Sequence, residues 1–446
     1  MRVKKLLVNL FVVVICIGFT SNLLAQAPGD RIPDRFIVEL APGVDAGSVA
    51  GFHGVIPDHI YGKAINGFAG FVPPGRINAL RNDPLVVSVA PDRIVTANPK
   101  GGNGGNKGGG KNQPPATQTV PSGVARIGAS PGSLNSTGDG IGVAVLDTGV
   151  DSGHADLNVA ADSFSAFGPT LTGQDDHGHG THVSGIVAAV DNDLDVVGVA
   201  PNATIYAVKI LDSSGNGSDS TIIAGLDWVM NQYKITSPPI RVVNMSLGRP
   251  GTLSDSPALR NAIQNIHGAG ITVVVSAGNS CDKEVSEMVP ATYPEVIAVA
   301  STTAGAGNNR CRFLSNPIGQ DTASYFSTDG AFDDQTNIGV SISAPGEANE
   351  DVNRGCMIKS VGILSTQLGG GTTRMSGTSM SAPHVAGVAA LLYEQAGGTL
   401  SPETVQNAIR SGADLSGASP LDNPSSCYSF DGVREGILSA PGALGL

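Results

Sequence analysis

The segment at residues 377–387, which reads GTSMSAPHVAG, constrains the fold of this 446-residue chain more than any other. Small residues crowd it, and residues 388–392 continue it as an apolar run of helical character. Pro383 suits the first turn of a helix, where its missing N–H has no consequence. We therefore expect Ser379 at a turn leading into a buried helix, where backbone N–H groups favour developing negative charge. A tightly packed Gly/Ala helix with incidental serines is the alternative.

Two further stretches favour a nucleophilic role for Ser379. Residues 141–146 form a buried-strand pattern that ends at Asp147, and open α/β sheets place ligand-handling groups at such strand ends. Residues 177–185, HGHGTHVSG, open another small-residue helix and supply His179. The pattern Gly-x-Ser-x-Ser differs from the Gly-x-Ser-x-Gly elbow of α/β-hydrolases, and the chain order Asp, His, Ser is that of subtilisin.

On these motifs the chain resembles the subtilases, the subtilisin-like serine proteases, over nearly all of its length. The resemblance implies a subtilisin-like three-layer α/β/α domain with a mainly parallel sheet. It implies a serine endopeptidase that works through an acyl-enzyme and uses Asp147, His179 and Ser379 as its triad. Asn279, which ends the strand pattern VVVSAGN, matches the asparagine that the family uses at its oxyanion hole. The alternative is a binding protein that retains the fold without catalysis, and such a protein has no reason to keep all four residues.

The amino-terminal quarter of the chain divides into three parts. Residues 1–27 combine early basic residues, an apolar run at 6–19 and small residues, a pattern that is typical of a secretory signal peptide. The apolar run is too short to span a membrane comfortably. Residues 28–97 predict a small α+β module that resembles the inhibitory, I9-type pro-domain of secreted subtilases. Residues 98–115 are a glycine-rich linker without apolar side chains to bury. We expect a first maturation cut between residues 94 and 98, followed by trimming of the linker.

Residues 116–446 predict one catalytic domain. Strand patterns at 141–146, 204–210, 241–245, 271–275 and 296–300 alternate with helical patterns near 181–190, 220–231, 257–268 and 383–395. That alternation indicates a parallel sheet with helices on both faces. Ser401 followed by Pro402 predicts the start of a last helix.

Four cysteines remain once Cys16 of the signal is set aside, and an even number in an exported chain indicates two disulfides. Three pairings are possible. We favour Cys281–Cys311 and Cys356–Cys427, because each closes a local segment and the second ties down the carboxyl-terminal tail. Free buried thiols are the alternative.

Two segments match the family's substrate-binding strands, which hold an extended peptide by β-augmentation. The resemblance assigns this role to Gly215, Asn216, Gly217, Ser246, Leu247 and Gly248. Arg249 stands where many relatives have a second glycine, and Asp219 where many have a tyrosine that shapes the fourth subsite. Either both departures alter specificity, or both side chains point to solvent.

Residues 190–196, VDNDLDV, interrupt the helix that carries His179 and are poor helix material. In subtilisin-like relatives the loop at this place holds a structural Ca²⁺. The resemblance assigns as ligands Gln118, Asp156, Asn192 and the carbonyls of Val190, Leu194 and Val196. Oxygen-only ligation suits calcium better than zinc or magnesium. A solvated acidic loop is the alternative.

Charge and spacing exclude several other functions. The net charge of −12 offers no basic patch for nucleic acid or anionic lipid. A zinc site on His177, His179 and His182 is disfavoured because no His-Glu-x-x-His motif is present. His182 is instead expected as a structural helix residue and His177 as an exposed neighbour. We expect a secreted monomer without an organic cofactor, whose partners are peptide substrates and its own pro-domain.

Overall fold

The computed structural model describes residues 27–97, 117–168, 170–314, 316–424 and 434–446. The predicted linker at 98–115, most of the predicted signal peptide and Cys427 lie outside these ranges. Among the described residues, no helix combines the length and hydropathy needed to cross a bilayer.

The amino-terminal module is an antiparallel sheet with two short helices. Its elements are β1 (Arg31–Leu40), α1 (Ala46–Phe52), β2 (Ile56–Tyr61), β3 (Gly67–Phe71), α2 (Ile77–Arg81) and β4 (Val86–Thr96). The strand order is β2-β3-β1-β4. Asp45 accepts the Ser48 N–H at 2.7 Å and so caps α1. A separate core that includes Val38, Phe68 and Leu80 lies under the helices, which confirms the predicted α+β module.

In the first half of the remaining described chain strands and helices alternate, as predicted, whereas in the second half six strands are followed by three helices. The first half comprises α3 (Ser122–Arg126), β5 (Gly142–Asp147), β6 (Phe164–Ser165), α4 (His179–Ala188), β7 (Thr204–Lys209), β8 (Asn216–Ser218), α5 (Asp219–Gln232), β9 (Ile240–Met245), β10 (Arg249–Pro250) and α6 (Pro257–Gly268). The second half comprises β11 (Thr272–Ser276), β12 (Met288–Val289), β13 (Ile297–Thr303), β14 (Ile342–Val352), β15 (Ile358–Thr366), β16 (Thr372–Met375), α7 (Thr378–Gln395), α8 (Pro402–Ser411) and α9 (Ala440–Leu444). Ser401 caps α8 by accepting the Thr404 N–H, as expected.

One mixed, mostly parallel sheet organises this domain. Within the described residues its order is β16-β15-β14-β13-β11-β9-β5-β7-β6, and only the β14–β15 and β15–β16 pairs are antiparallel. Alternate residues of β5 pack on opposite faces: Leu146 lies in the core under α5 and α6, whereas Val145 lies in the core under α4 and α7. The predicted three-layer architecture is therefore confirmed.

Pro383 lies inside α7 rather than in its first turn, so the predicted start of that helix was wrong. The helix begins five residues earlier, at Thr378. Proline has no N–H to donate to the carbonyl four residues before it, which here belongs to Ser379. That carbonyl accepts the Ser246 Oγ–H at 2.8 Å instead, so a side-chain bond replaces the missing helical one.

The disulfide pairing favoured from the sequence was also wrong. Cys311 is bonded to Cys356, with Cα atoms 4.8 Å apart. Asn309 bridges Val352 at the end of β14, so the loop that carries Cys311 lies beside the β14–β15 turn that carries Cys356. Proximity in the fold, rather than the length of the closed segment, decided the partner.

Candidate active site

Asp147 and His179 form a buried pair at the carboxyl edge of the sheet. Asp147 is the last residue of β5, and His179 is the first of α4. His179 Nδ1 lies 2.8 Å from Asp147 Oδ1 and 3.0 Å from Oδ2, and both side chains are fully buried. Burial opposes a charge on the imidazole, but the Asp147 carboxylate outweighs it and the pKa of His179 is raised. This arrangement favours a protonated Nδ1 and leaves Nε2 as the proton acceptor.

Asp175, which the sequence analysis missed, fixes the start of α4. Its carboxylate accepts the N–H groups of His177, Gly178 and Thr181 at 2.9–3.0 Å, together with the hydroxyl groups of Thr148 and Thr181. Burial raises the pKa of Asp175, but these hydrogen bonds outweigh burial and lower it. An acid three residues before the N-cap of a helix is a recognisable signal, because carboxylates satisfy the unpaired N–H groups there.

Ser379 lies at the same edge of the sheet. Its Oγ donates to the Ser246 carbonyl at 3.1 Å. Val145 pairs with Asn244 in the parallel β5–β9 ladder, so Asp147 and Ser246 follow at neighbouring strand ends, about 5 Å apart. His179 Nε2 is buried and has no hydrogen-bond partner among the residues that the structure describes. The fold therefore brings the serine to the Asp147–His179 pair without forming the serine–histidine hydrogen bond.

Asn279 is held beside the start of α7. Its Oδ1 accepts the N–H and the hydroxyl group of Thr378, each at 3.0 Å. These two bonds fix the rotation of the amide next to the residue that precedes Ser379. An amide in this place can donate to an oxyanion formed at Ser379.

The other histidines near the site are structural or exposed, as expected. His182 is fully buried, its Nε2 lies 3.1 Å from the Ile363 carbonyl, and burial lowers its pKa to about 3. His177 is exposed. In the described ranges, no three His, Cys, Asp or Glu side chains converge in a way that would hold a metal ion.

The predicted substrate segments are occupied by the last strand of the amino-terminal module. In β4, Ile94, Val95 and Thr96 pair antiparallel with Ser218, Gly217 and Asn216 of β8. Thr96 also exchanges hydrogen bonds with Gly248 at 3.2 and 3.3 Å, and the Ala97 N–H donates to the Gly215 carbonyl at 2.9 Å. Gly215, Asn216, Gly217 and Gly248 of the predicted set therefore line one cleft, which holds an extended chain from both sides.

Two aspartates fasten the amino-terminal sheet to α5. Asp92 of β4 accepts the Ser220 N–H at 3.0 Å and its hydroxyl group at 2.7 Å. Burial raises the pKa of Asp92 to about 6. Asp227 of α5 accepts the N–H groups of residues 62, 63 and 64 at 3.0, 2.6 and 2.8 Å. Asp92 and Asp227 thus anchor the interface from its two sides, one in each module.

Arg249 and Asp219 pair with each other, and the alternative in which both side chains point to solvent was wrong. Arg249 Nε and the Asp219 Oδ1 atom are 2.8 Å apart, Arg249 Nη2 and Oδ2 are 2.7 Å apart, and both side chains are fully buried. Burial disfavours the guanidinium charge, but Asp219 outweighs it and raises the pKa of Arg249. The two departures from the family pattern are therefore one bidentate ion pair beneath the cleft.

The six predicted calcium ligands are also brought together. Gln118 Nε2 donates to the carbonyls of Val190 and Val196 at 2.8 and 3.3 Å, while Asp156 Oδ2 accepts the Val196 N–H at 3.2 Å. Two aspartates of the loop, at 193 and 195, have positive φ, a conformation that Asp tolerates. Asn192 Oδ1 accepts the Leu194 N–H at 3.0 Å.

Asp156 lies against this loop, and one of its carboxylate oxygens is unsatisfied in the described part of the chain. It is fully buried, its Oδ1 has no partner among the described residues, and burial raises its pKa to about 7. A buried carboxylate oxygen without a donor, surrounded by carbonyls and amides, fits a hard cation. A rotation of the Gln118 amide by half a turn exchanges its nitrogen for a ligating oxygen. The residues present therefore fit calcium.

Comparison with known proteins gives two family matches. The model described as the Subtilase family matches residues 138–427, and that described as Peptidase inhibitor I9 matches residues 45–98. Subtilisin E of Bacillus subtilis (strain 168) is 34% identical over 409 residues, which cover 89% of this chain and 90% of the relative. Subtilisin NAT of Bacillus subtilis subsp. natto is 33% identical over the same length. Subtilisin Savinase of Lederbergia lenta is 37% identical over 306 residues, 68% of this chain and 95% of its own.

Proposed function

The chain belongs to the subtilase family of serine-type endopeptidases, and on that premise we propose that Asp147, His179 and Ser379 form its catalytic triad. The observation that carries the proposal is the buried His179, whose Nδ1 is held by Asp147 and whose Nε2 is unpartnered among the described residues. Nothing in a binding module requires a buried histidine prepared in this way. The binding-protein alternative therefore has no observation in its favour.

The reaction begins when Ser379 Oγ turns from the Ser246 carbonyl toward His179 Nε2. Nε2 takes the hydroxyl proton while Oγ bonds to the carbonyl carbon of the substrate. Asp147 stabilises the resulting imidazolium. The Asn279 amide and the Ser379 N–H hold the oxyanion, a contribution measured in subtilisin itself at roughly 10²–10³ in rate. His179 then protonates the leaving amine, and water hydrolyses the acyl-enzyme by the same steps.

Replacement of Ser379 tests this function. We expect Ser379→Ala to abolish hydrolysis and to leave the purified protein as a full-length pro-form, because the same serine is needed for self-cleavage. Ser376→Ala, a neighbouring buried serine outside the triad, is the matched control and should mature. Normal processing of purified Ser379→Ala protein, with no other protease present, would contradict the proposal.

We assign residues 28–97 as an inhibitory pro-domain, 98–115 as a linker and 116–446 as the catalytic domain of a zymogen, made with a signal peptide and secreted. The I9 match and the pairing of β4 with the cleft support this assignment. Thr96, which pairs with Gly248 in this cleft, lies within the range expected for the first cut. Amino-terminal sequencing over time should show that cut before any cut near Gln118; a single cut near Gln118 from the outset would contradict the order.

We further propose that Gln118, Asp156, Asn192 and the carbonyls of Val190, Leu194 and Val196 hold a structural Ca²⁺. The cation would neutralise Asp156, and its site would pin Gln118, near the mature amino terminus, to the loop. Because this loop lies apart from Ser379, the cation would act on stability and resistance to self-digestion rather than on the chemistry.

A further inference from the structure

Strand β14 buries two glutamates that the catalytic mechanism does not use. Glu347 and Glu350 are three positions apart and would point to opposite faces of a regular strand. The β14–β15 register shifts between Glu347 and Asn349, so one residue of β14 is extra. This bulge allows both carboxyl groups to lie on one side of the strand, where they interact with each other and are fully buried.

No described residue donates to the Glu347 carboxylate within ordinary hydrogen-bond geometry. Neither of its oxygens has a hydrogen-bond partner in the described part of the chain, and neither glutamate there joins an ion pair. The Ser360 hydroxyl of β15, opposite Glu350, is likewise buried and unpartnered. Burial and then the nearby Glu350 raise the pKa of Glu347 well above its usual value, and the hydroxyl groups of Ser360 and Ser324 lie near it. A buried carboxylate without a partner is strongly unfavourable.

Glu350, in contrast, is held in place. Its Oε1 accepts the Tyr325 N–H at 2.9 Å, and its Oε2 accepts the Asn423 amide at 2.8 Å. Such bonds are how proteins orient the carboxylates that ligate metals. A proton shared between the two glutamates would neutralise only one of them, and the remaining charge would stay buried. A divalent cation matches both charges and also uses the open oxygens of Glu347 and Ser360.

We propose that Glu347 and Glu350 bind a divalent cation of the calcium class, with the Ser360 hydroxyl as a further ligand. Carboxylate and hydroxyl oxygens without nitrogen or sulfur donors favour a hard cation, and water completes its coordination. This site is separate from the loop at residues 190–196 and does not depend on the proposed catalytic function.

The cation would brace the strand that supports the nucleophile helix. Gly346, next to Glu347, accepts the Gly377 N–H at 3.2 Å, and α7 begins one residue later. Through Glu350 and Asn423 the same site ties the β14–β15 hairpin to the segment that follows α8. The expected consequence is stability of this part of the domain.

Calcium binding to the full-length Ser379→Ala protein tests the proposal without self-digestion. We expect the paired variant Glu347→Gln/Glu350→Gln to hold one calcium ion fewer per chain, by elemental analysis after desalting. Its calcium-dependent rise in melting temperature should shrink, and in chelator it should melt above its parent because the unpartnered, buried carboxyl group of Glu347 is gone. Asp156→Ala, which removes a proposed ligand of the calcium site at residues 190–196, is the matched variant. Unchanged calcium content and an unchanged calcium response in the glutamine pair would overturn the proposal.

A luminescence measurement covers the case in which the glutamine pair does not fold. Tyr325 lies beside the site, so Tb³⁺ bound there in place of Ca²⁺ should luminesce when tyrosine is excited. In the Ser379→Ala/Asp156→Ala protein, we expect Tyr325→Phe to remove most of this signal and added Ca²⁺ to compete with it. A signal that Tyr325→Phe leaves unchanged would overturn the site.

Discussion

Hydrogen bonds between Asp227 and the amino-terminal module allow a prediction of how tightly the pro-domain binds the catalytic domain. One carboxylate oxygen accepts three backbone N–H groups, from residues 62–64, at 2.6–3.0 Å. Hydrogen bonds to a charged group contribute about 1.5–3 kcal/mol each, against about 0.5–1.5 kcal/mol for neutral pairs. Asp227→Asn keeps the shape and an acceptor oxygen but removes the charge. It should therefore cost about 1 kcal/mol per bond, or about 3 kcal/mol in all.

A loss of about 3 kcal/mol raises the inhibition constant of the pro-domain about 100-fold, since each 1.4 kcal/mol is a factor of ten. The assay dilutes the processed complex and follows the release of activity on a small peptide. Asp227 lies on α5, outside the Asp147–His179 pair, so the rate of the released enzyme should not change. Asp139→Asn is the control, because Asp139 is exposed and lies far from this interface. The N–H of the neighbouring Gly138 donates to Glu394 of α7, a helix on the face of the sheet opposite to α5. An inhibition constant for Asp227→Asn equal to that of Asp139→Asn would refute the reasoning.

Three further predictions concern the ion pair, the pH profile and calcium. Arg249→Met leaves the buried carboxylate of Asp219 unpaired and should lower the free energy of unfolding, measured by denaturant titration, by about 3–5 kcal/mol. The double variant Arg249→Met/Asp219→Leu should recover most of that lost stability. Because the pKa of His179 is raised above 6.5, kcat/KM should fall as pH drops through that higher value. Asp147→Asn should move this acidic side of the pH profile to lower pH and cut kcat by roughly 10⁴. An acidic side that stays in place in Asp147→Asn would contradict the assignment. A calcium chelator should lower the thermal midpoint with little change in initial rate, and Asp156→Ala should copy that effect; a variant with the parent's stability and calcium response would exclude the site.

The sequence predicted the parts of the fold that depend on local pattern. The buried strands and the helices between them follow from hydrophobic runs and capping residues, and their observed bounds differ from the predicted ones by a few residues. Pro383 shows where a local rule fails. The rule that proline belongs in a first turn assumes that the carbonyl four residues earlier needs a helical donor, and here Ser246 supplies a hydroxyl from another strand end.

The features that sequence reasoning missed depend on contacts between distant segments. Arg249 and Asp219 are thirty positions apart, so neither residue alone predicts the other as its partner, and only the fold reveals a neutral buried pair. The Cys311–Cys356 bond and the glutamate pair of β14 both depend on the β14–β15 hairpin, which the sequence analysis did not predict. Its bulge, rather than its hydrophobic pattern, sets the direction of Glu347.

Covalent labelling of the mature enzyme by a fluorophosphonate, followed by peptide mapping, tests the central claim most directly. The probe reacts with a serine only when a neighbouring base takes its proton. The account predicts one labelled residue, Ser379, with labelling lost in His179→Ala and slowed in Asn279→Ala. Absence of labelling at Ser379 in well-folded, mature protein, or labelling that persists in His179→Ala, would contradict it.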